Sequence, residues 1–237
     1  MTNITRAMVM AAGYGKRMRH LTDTIPKPMV ALHNKPLIDH VLDRLQDVSI
    51  DCAVVNLHYQ ADVLEDHLRA RQSPEIIFSD ERDGLLDTGG GANKALPHFS
   101  DQPFLVHNSD SVWIEGPGSN LARLLKAWDG DKMDCLMLLA LSVTSLGYNG
   151  RGDFFMSRNG TLRRCKFNEV VPFVFTGVSI VHPRLFHNSP DGAFSMNALW
   201  DQAIAAGRLY GIRHEGTWMH IGTPEALQLA EEQLTFV

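Results

Sequence analysis

The chain has 237 residues, enough for one well-buried domain. Its net charge of −5 excludes a global basic field, so no nucleic acid is expected as a partner and any anion must be held locally. The three cysteines, Cys52, Cys135 and Cys165, fit neither a zinc pattern nor a paired disulfide framework, and no apolar stretch approaches a membrane span. The apolar run at residues 7–12 is too short for a signal peptide, so the expected setting is cytoplasmic, with no membrane partner.

In chain order, residues 7–12 predict a buried strand and residues 36–48 a helix, with Leu37, Ile38, Val41, Leu42 and Leu45 on one face. Residues 52–57 follow as a strand, 61–70 as a helix and 75–78 as a short strand. Residues 90–96 read as a helix opening from a glycine run, 103–107 as a strand, 120–128 as a helix and 135–141 as a strand. This βαβαβ order predicts an α/β fold: a Rossmann-like mixed, mostly parallel sheet with helices on both faces, in a single domain. Beyond residue 142 the rhythm changes. Residues 153–157 and 161–165 flank Asn159-Gly160, a hairpin turn signal. Residues 173–181 and 209–213 are strands, 195–206 a helix, and Thr223-Pro224-Glu225 opens the last helix.

The stretch after the first strand carries the first chemistry. Gly13 and Gly15 permit a tight turn that presents backbone N–H groups, and Lys16 and Arg17 add full positive charge. Open α/β sheets bind ligands at this place, and a phosphate chain suits it. Neither the P-loop spacing nor the dinucleotide fingerprint is met, since Tyr14 alone separates Gly13 from Gly15 and Met18 stands where a third glycine belongs.

The longer run Ala11-Ala12-Gly13-x-Gly15-x-Arg17-Met18, then Leu21-Thr22, then Pro26-Lys27-Pro28-Met29, resembles the signature of the sugar-1-phosphate nucleotidyltransferases. Lys16 stands where that family has Thr, and His20 where it has Pro. The resemblance implies that the partners are a nucleoside triphosphate and a sugar 1-phosphate, on a nucleotide-diphospho-sugar transferase type of fold. Residues 1–142 would form the nucleotide-binding half and 143–237 the sugar-binding half. Ala11, Ala12, Gly13, Gly15 and Lys16 would face the nucleotide, Arg17 would hold the departing phosphates, and Lys27 would lie beside the phosphorus under attack. The flanking prolines fix the backbone around Lys27, so its ammonium is aimed in advance.

Four further motifs fit. In "LLDTGGGANKAL", Asp87, Thr88, Gly89 and Gly90 correspond to the family's nucleobase loop. In "PFLVHNSDSVW", Asn108 would touch the nucleotide and Asp110 would bind Mg²⁺, with Mn²⁺ the alternative; Ser109 replaces the family's glycine. In "FVFTGVSIVHPRLF", Thr176 and Gly177 would approach the sugar, together with Asn149 and Asp153 from the stretch around residues 150–160 and the weaker candidates Lys166 and Glu169. In "WMHIGTPEALQ", His220 stands where the second metal-binding Asp is expected. An imidazole ligates divalent metals but suits Mg²⁺ less than a carboxylate does. The form of the Asp87–Gly91 loop and the Gly-Asp-Phe at 152–154 look most like the branch that transfers uridylyl groups to N-acetylmuramate 1-phosphate in cell-wall recycling. Mannose-1-phosphate guanylyl transfer is the alternative, and a catalytically weak nucleotide-sugar sensor is the reading from another class. A monomer or small homo-oligomer is expected.

Overall fold

The computed structural model describes residues 4–235. The described residues form thirteen strands and six α-helices. In order they are β1 (Arg6–Met10), β2 (Ala31–Leu32), β3 (Lys35–Pro36), α1 (Leu37–Asp47), β4 (Cys52–Leu57), α2 (Ala61–Leu68) and β5 (Glu75–Asp80). Then come α3 (Asp87–Ala95), β6 (Phe104–Asn108), β7 (Ser111–Glu115), α4 (Asn120–Ala127) and β8 (Cys135–Leu141). The remainder is β9 (Phe154–Met156), β10 (Leu162–Arg164), β11 (Phe173–Val181), α5 (Met196–Ala205), β12 (Leu209–Arg213), β13 (Gly216–His220) and α6 (Pro224–Thr235).

Nine strands make one sheet. β5, β4, β1 and β6 run parallel in that order; β11 follows antiparallel, then β8 and β12 parallel to each other. The β9–β10 hairpin hangs from the start of β11, where Phe173 pairs with Phe154. Its turn residue Gly160 has φ +88°, as the Asn-Gly signal requires. The sheet crosses from the first half of the chain into the second without a break, so the expected mixed, mostly parallel sheet in one domain is what forms.

The apolar runs read as strands because both sheet faces are covered. Val9, Val55, Leu105 and Leu138 join α1, α2 and α4 in one core; Met8, Val54, Val106 and Met137 join α3 and α5 in the other. In α1 the buried stripe is Leu37, Ile38, Val41, Leu42 and Leu45. Full burial of each such side chain contributes about 1.5–3 kcal/mol. A third, smaller cluster joins Met18, Leu32, Leu37, Met219, Ile221 and Ala230, and seats α6 against the loop after β1.

Three differences from the sequence expectation matter for the site. β1 ends at Met10, leaving Ala11 and Ala12 outside the sheet. α3 begins at Asp87 rather than at the glycine run. β7 and β13 form an unforeseen two-stranded antiparallel ribbon, in which His220 lies opposite Ser111.

The strand order has a switch point. From β1 the chain builds outward through β4 to β5, then crosses back to place β6 on the other flank of β1. The crevice beyond the carboxyl ends of β1 and β6 is where such sheets receive ligands.

Candidate active site

That crevice holds a cavity of about 360 Å³. Ala11, Ala12, Gly13 and Gly15 form one wall, and Lys16, Arg17 and Lys27 supply its cations. Asp87 and Thr88 reach it from the start of α3, and Asn108 and Asp110 from the end of β6. The structure therefore brings together eleven residues singled out in the sequence from four separate stretches.

The glycine turn has a local cause. Gly15 has φ +65°, and a Cβ there would lie 3.0 Å from Lys27 Cβ and 3.2 Å from Thr22 Cγ2. Its carbonyl accepts from Met18 N–H at 2.7 Å and from Thr22 Oγ1 at 3.2 Å, which starts a 3₁₀ turn at Lys16–Thr22. Among the described residues, Lys16 and Arg17 have no carboxylate partner, so both charges are available to an anion. Lys16 Nζ rests 5.1 Å from the centre of the Tyr14 ring.

Lys27 opens a short 3₁₀ turn, Lys27–Met29, after extended Pro26. Its ammonium pairs with the Asp110 carboxylate. The two side chains are only 12% and 20% exposed. Burial alone would raise the Asp110 pKa, but the Lys27 ammonium, its hydrogen bond and nearby His220 hold it below the usual carboxylate range.

His220 arrives through the β7–β13 ribbon. The ribbon is pinned by Trp218 Nε1–H donating to Ser111 Oγ at 2.8 Å, while Ser111 Oγ donates to the Thr176 carbonyl. A Cβ at Gly222 would lie 2.8 Å from His220 Nε2 and 3.4 Å from Arg17 Nη1, so the bare glycine lets Arg17 and His220 share this corner. Burial lowers the His220 pKa, helped by Lys27 and Arg17 and opposed by Asp110.

This donor set suits a divalent cation. Among the described residues no three His, Cys, Asp or Glu side chains converge on a metal position. A cation at Asp110 would thus take most ligands from phosphate oxygens and water, which is how Mg²⁺ is commonly bound.

Other residues named from the sequence lie outside the cavity wall. The Gly89 and Gly90 N–H groups both donate to the Phe194 carbonyl, at 2.8 and 3.0 Å, and so are unavailable to a base. A Cβ at Gly90 would lie 2.4 Å from the Gly192 carbonyl oxygen; these glycines serve close packing of α3. Thr176 is buried with Oγ1 donating to the Leu138 carbonyl at 2.8 Å. Gly177, at φ +85°, permits close approach to Asn108, whose Nδ2 would lie 2.8 Å from a Cβ there. Glu169 is engaged by Arg163 at 2.5 Å. Asn149 and Lys166 are exposed. Asp153 is raised in pKa by burial, although Oδ2 accepts from Phe175 N–H at 2.9 Å; His220 acts on it electrostatically.

Sequence reasoning missed Asn56 and Gly222 in the wall. Asn56 had a signal: it is the one polar residue in the strand Cys-Ala-Val-Val-Asn-Leu. Its Oδ1 accepts from Ala11 N–H at 2.7 Å, which draws Ala11 off the sheet.

The sequence profile of the nucleotidyl transferase family matches residues 6–144. The chain belongs to this family. It is 46% identical over 232 residues to the N-acetylmuramate alpha-1-phosphate uridylyltransferase of Caulobacter vibrioides, covering 96% of each chain. The protein of the same description from Neisseria meningitidis is 32% identical over 235 residues, covering 95% of this chain and 96% of that one. The inositol-1-phosphate CTP transferase from T. maritima superposes with a TM-score of 0.79 at 16% identity, over 98% of this chain and 96% of that one. Members of this family transfer a nucleoside monophosphate from a nucleoside triphosphate to a sugar 1-phosphate, and this chain is a nucleotidyltransferase.

Proposed function

We propose that this chain transfers the uridylyl group of UTP to N-acetylmuramate 1-phosphate, releasing pyrophosphate. The carrying observation is the convergence of Lys16, Arg17 and the Lys27–Asp110 pair on one cavity at the switch point. The two full-length relatives described by that activity support the substrate pair.

The reactants are all anionic, so the site must supply positive charge. Arg17 and Lys16, with the amides of the glycine turn, would hold the β- and γ-phosphates. Lys27 would bear on the α-phosphate, leaving Asp110 free for a cation. Asp110 would hold Mg²⁺, with His220 as a second donor; such an ion neutralises and orients both phosphates. An ionised oxygen of the sugar 1-phosphate forms the new P–O bond as the bond to pyrophosphate breaks in line. No general base is needed, and catalysis is positioning plus electrostatics. Asn108, Asp87 and Thr88 would line the nucleotide, and Asp153 the sugar.

The test is a pyrophosphate-release screen. UTP, GTP, CTP, dTTP and ATP are crossed with N-acetylmuramate 1-phosphate, mannose 1-phosphate and glucose 1-phosphate, in Mg²⁺ and in Mn²⁺. The expected result is highest kcat/KM for UTP with N-acetylmuramate 1-phosphate. Preference for GTP with mannose 1-phosphate would overturn the substrate assignment, and no release in any well would overturn the enzyme.

A further inference from the structure

Glu81 follows the last residue of β5 and is 1% exposed. Its N–H donates to the Leu57 carbonyl at 2.7 Å, which extends the sheet by one rung. Its side chain is therefore anchored at the same edge as the cavity. A fully buried carboxylate is rare without partners for both oxygens. Here each oxygen has one. Oε1 accepts from Asn56 Nδ2 at 2.8 Å, and Asn56 in turn holds Ala11 N–H at the head of the phosphate loop. Oε2 accepts from Leu86 N–H at 3.1 Å, immediately before Asp87 and Thr88. The Glu81 carbonyl makes a third tie. His58 Nδ1–H donates to it at 2.8 Å, which fixes the tautomer, so His58 Nε2 accepts from the Tyr14 hydroxyl at 3.0 Å. Tyr14 sits between Gly13 and Gly15. Gly91 is shaped to this carboxylate: a Cβ there would lie 2.7 Å from Glu81 Oε1.

We infer that Glu81 is a positioning residue that sets the distance between the phosphate loop and the loop at the start of α3. It lies outside the cavity wall and acts through Asn56, His58 and Leu86. The inference rests on the nucleotide reading of the cavity. It goes further in assigning one buried side chain to both nucleotide-facing loops, while no described contact of Glu81 reaches the sugar side. Its loss should therefore weaken the nucleoside triphosphate and spare the sugar phosphate.

Glu81→Gln separates this from simple support of the fold. The introduced amide can satisfy Asn56 or Leu86, but its NH₂ then faces the other N–H donor. Losing one charge-assisted hydrogen bond should raise the UTP dissociation constant, by calorimetry, and the UTP KM about tenfold. The KM for N-acetylmuramate 1-phosphate should move less than about twofold by the same reasoning. Asn56→Asp alone sets two carboxylates against each other and should weaken UTP at least as much. The double variant Asn56→Asp/Glu81→Gln restores every pairing. The amide at 81 donates to the carboxylate at 56, its carbonyl accepts from Leu86 N–H, and the second carboxylate oxygen accepts from Ala11 N–H. UTP affinity should recover by several-fold over Asn56→Asp alone, short of the parent protein because the carboxylate at 56 now lines the cavity. Equal changes in both KM values, or a fall in melting temperature with UTP binding unchanged, would overturn the inference. Failure of the folded double variant to regain affinity would also overturn it, and that arm stands even if Glu81→Gln alone does not fold. A parent protein that binds neither UTP nor GTP would overturn the nucleotide reading itself, a different result from binding that the variants leave unchanged.

Discussion

At Lys27, turn geometry and electrostatics point the same way. The Pro26-Lys27-Pro28 backbone fixes where the side chain starts, and Asp110 fixes where it ends. A group held in this way gives up little freedom when a phosphate replaces its partner, which is what makes a preorganised cation effective. Lys27→Ala is expected to lower kcat by about a hundredfold. Asp110→Ala should do the same, because Lys27 would then lack its resting partner and the cation its carboxylate. The check is steady-state pyrophosphate release with a thermal melt of each variant. Both side chains are mostly buried, so either variant leaves an unpaired charge and should lower the melting temperature; kcat is compared below that melt, where each variant is folded. Retention of near-parental kcat by either folded variant would remove it from the reaction. Lys16 differs from Lys27 in being parked on the Tyr14 ring rather than paired with a carboxylate.

The elements that carry these residues were unequally legible in the sequence. β4, β8, β11 and α1 were readable because two-faced burial and a helical stripe leave strong periodic signatures. The ribbon of β7 and β13 was not, because its stability comes from a partner about a hundred residues away. Trp218 opposite Trp113, and Trp218 bonded to Ser111, are facts of pairing rather than of local pattern. The ribbon explains why His220 sits beside Asp110, which spacing alone does not show. The glycine run at 89–91 was legible as important, but the amides of Gly89 and Gly90 serve the Phe194 carbonyl rather than the cavity. Glycine signals that backbone comes close; it does not say to what. Gly90→Ala makes that distinction measurable. Its Cβ would meet backbone, the Gly192 carbonyl at 2.4 Å, which cannot rotate away as a side chain could. Overpacking of this kind costs about 1–3 kcal/mol, so the urea midpoint should fall with the m-value unchanged. An unaltered midpoint with weakened UTP binding would return Gly90 to the nucleotide.

On the scale of the whole molecule, the same β6 strand that ends in Asn108 also carries a buried titratable group. His107 lies stacked on Trp113 at 5.5 Å, and His214 meets the indole edge-on at 5.6 Å. Arg44 covers the Trp113 ring at 4.2 Å. His107 Nε2 and His214 Nε2 have no hydrogen-bond partner among the described residues. Burial, with Arg44 nearby, therefore pushes both imidazoles down to about 4. In the unfolded chain each would titrate near the ordinary value of about 6.5. Above that value both states are neutral at these positions and stability is indifferent to pH. Between about 6.5 and 4 the unfolded chain binds protons that the native one refuses, so stability falls as pH falls. Below about 4 both states are protonated at these sites and their contribution levels off. The slope is about 1.4 kcal/mol per pH unit for each histidine, and about 4 kcal/mol for the pair by pH 5. That is a large share of the roughly 5–15 kcal/mol of a typical domain. Urea unfolding at steps from pH 7.5 to pH 5 should show this decline, and His214→Gln should remove close to half of the slope contributed by the pair. A stability flat from pH 7 to pH 5 would mean that both rings take up protons in the native state, so that the sandwich around Trp113 opens on acidification without unfolding the sheet; a slope halved in the parent protein would assign that behaviour to one ring.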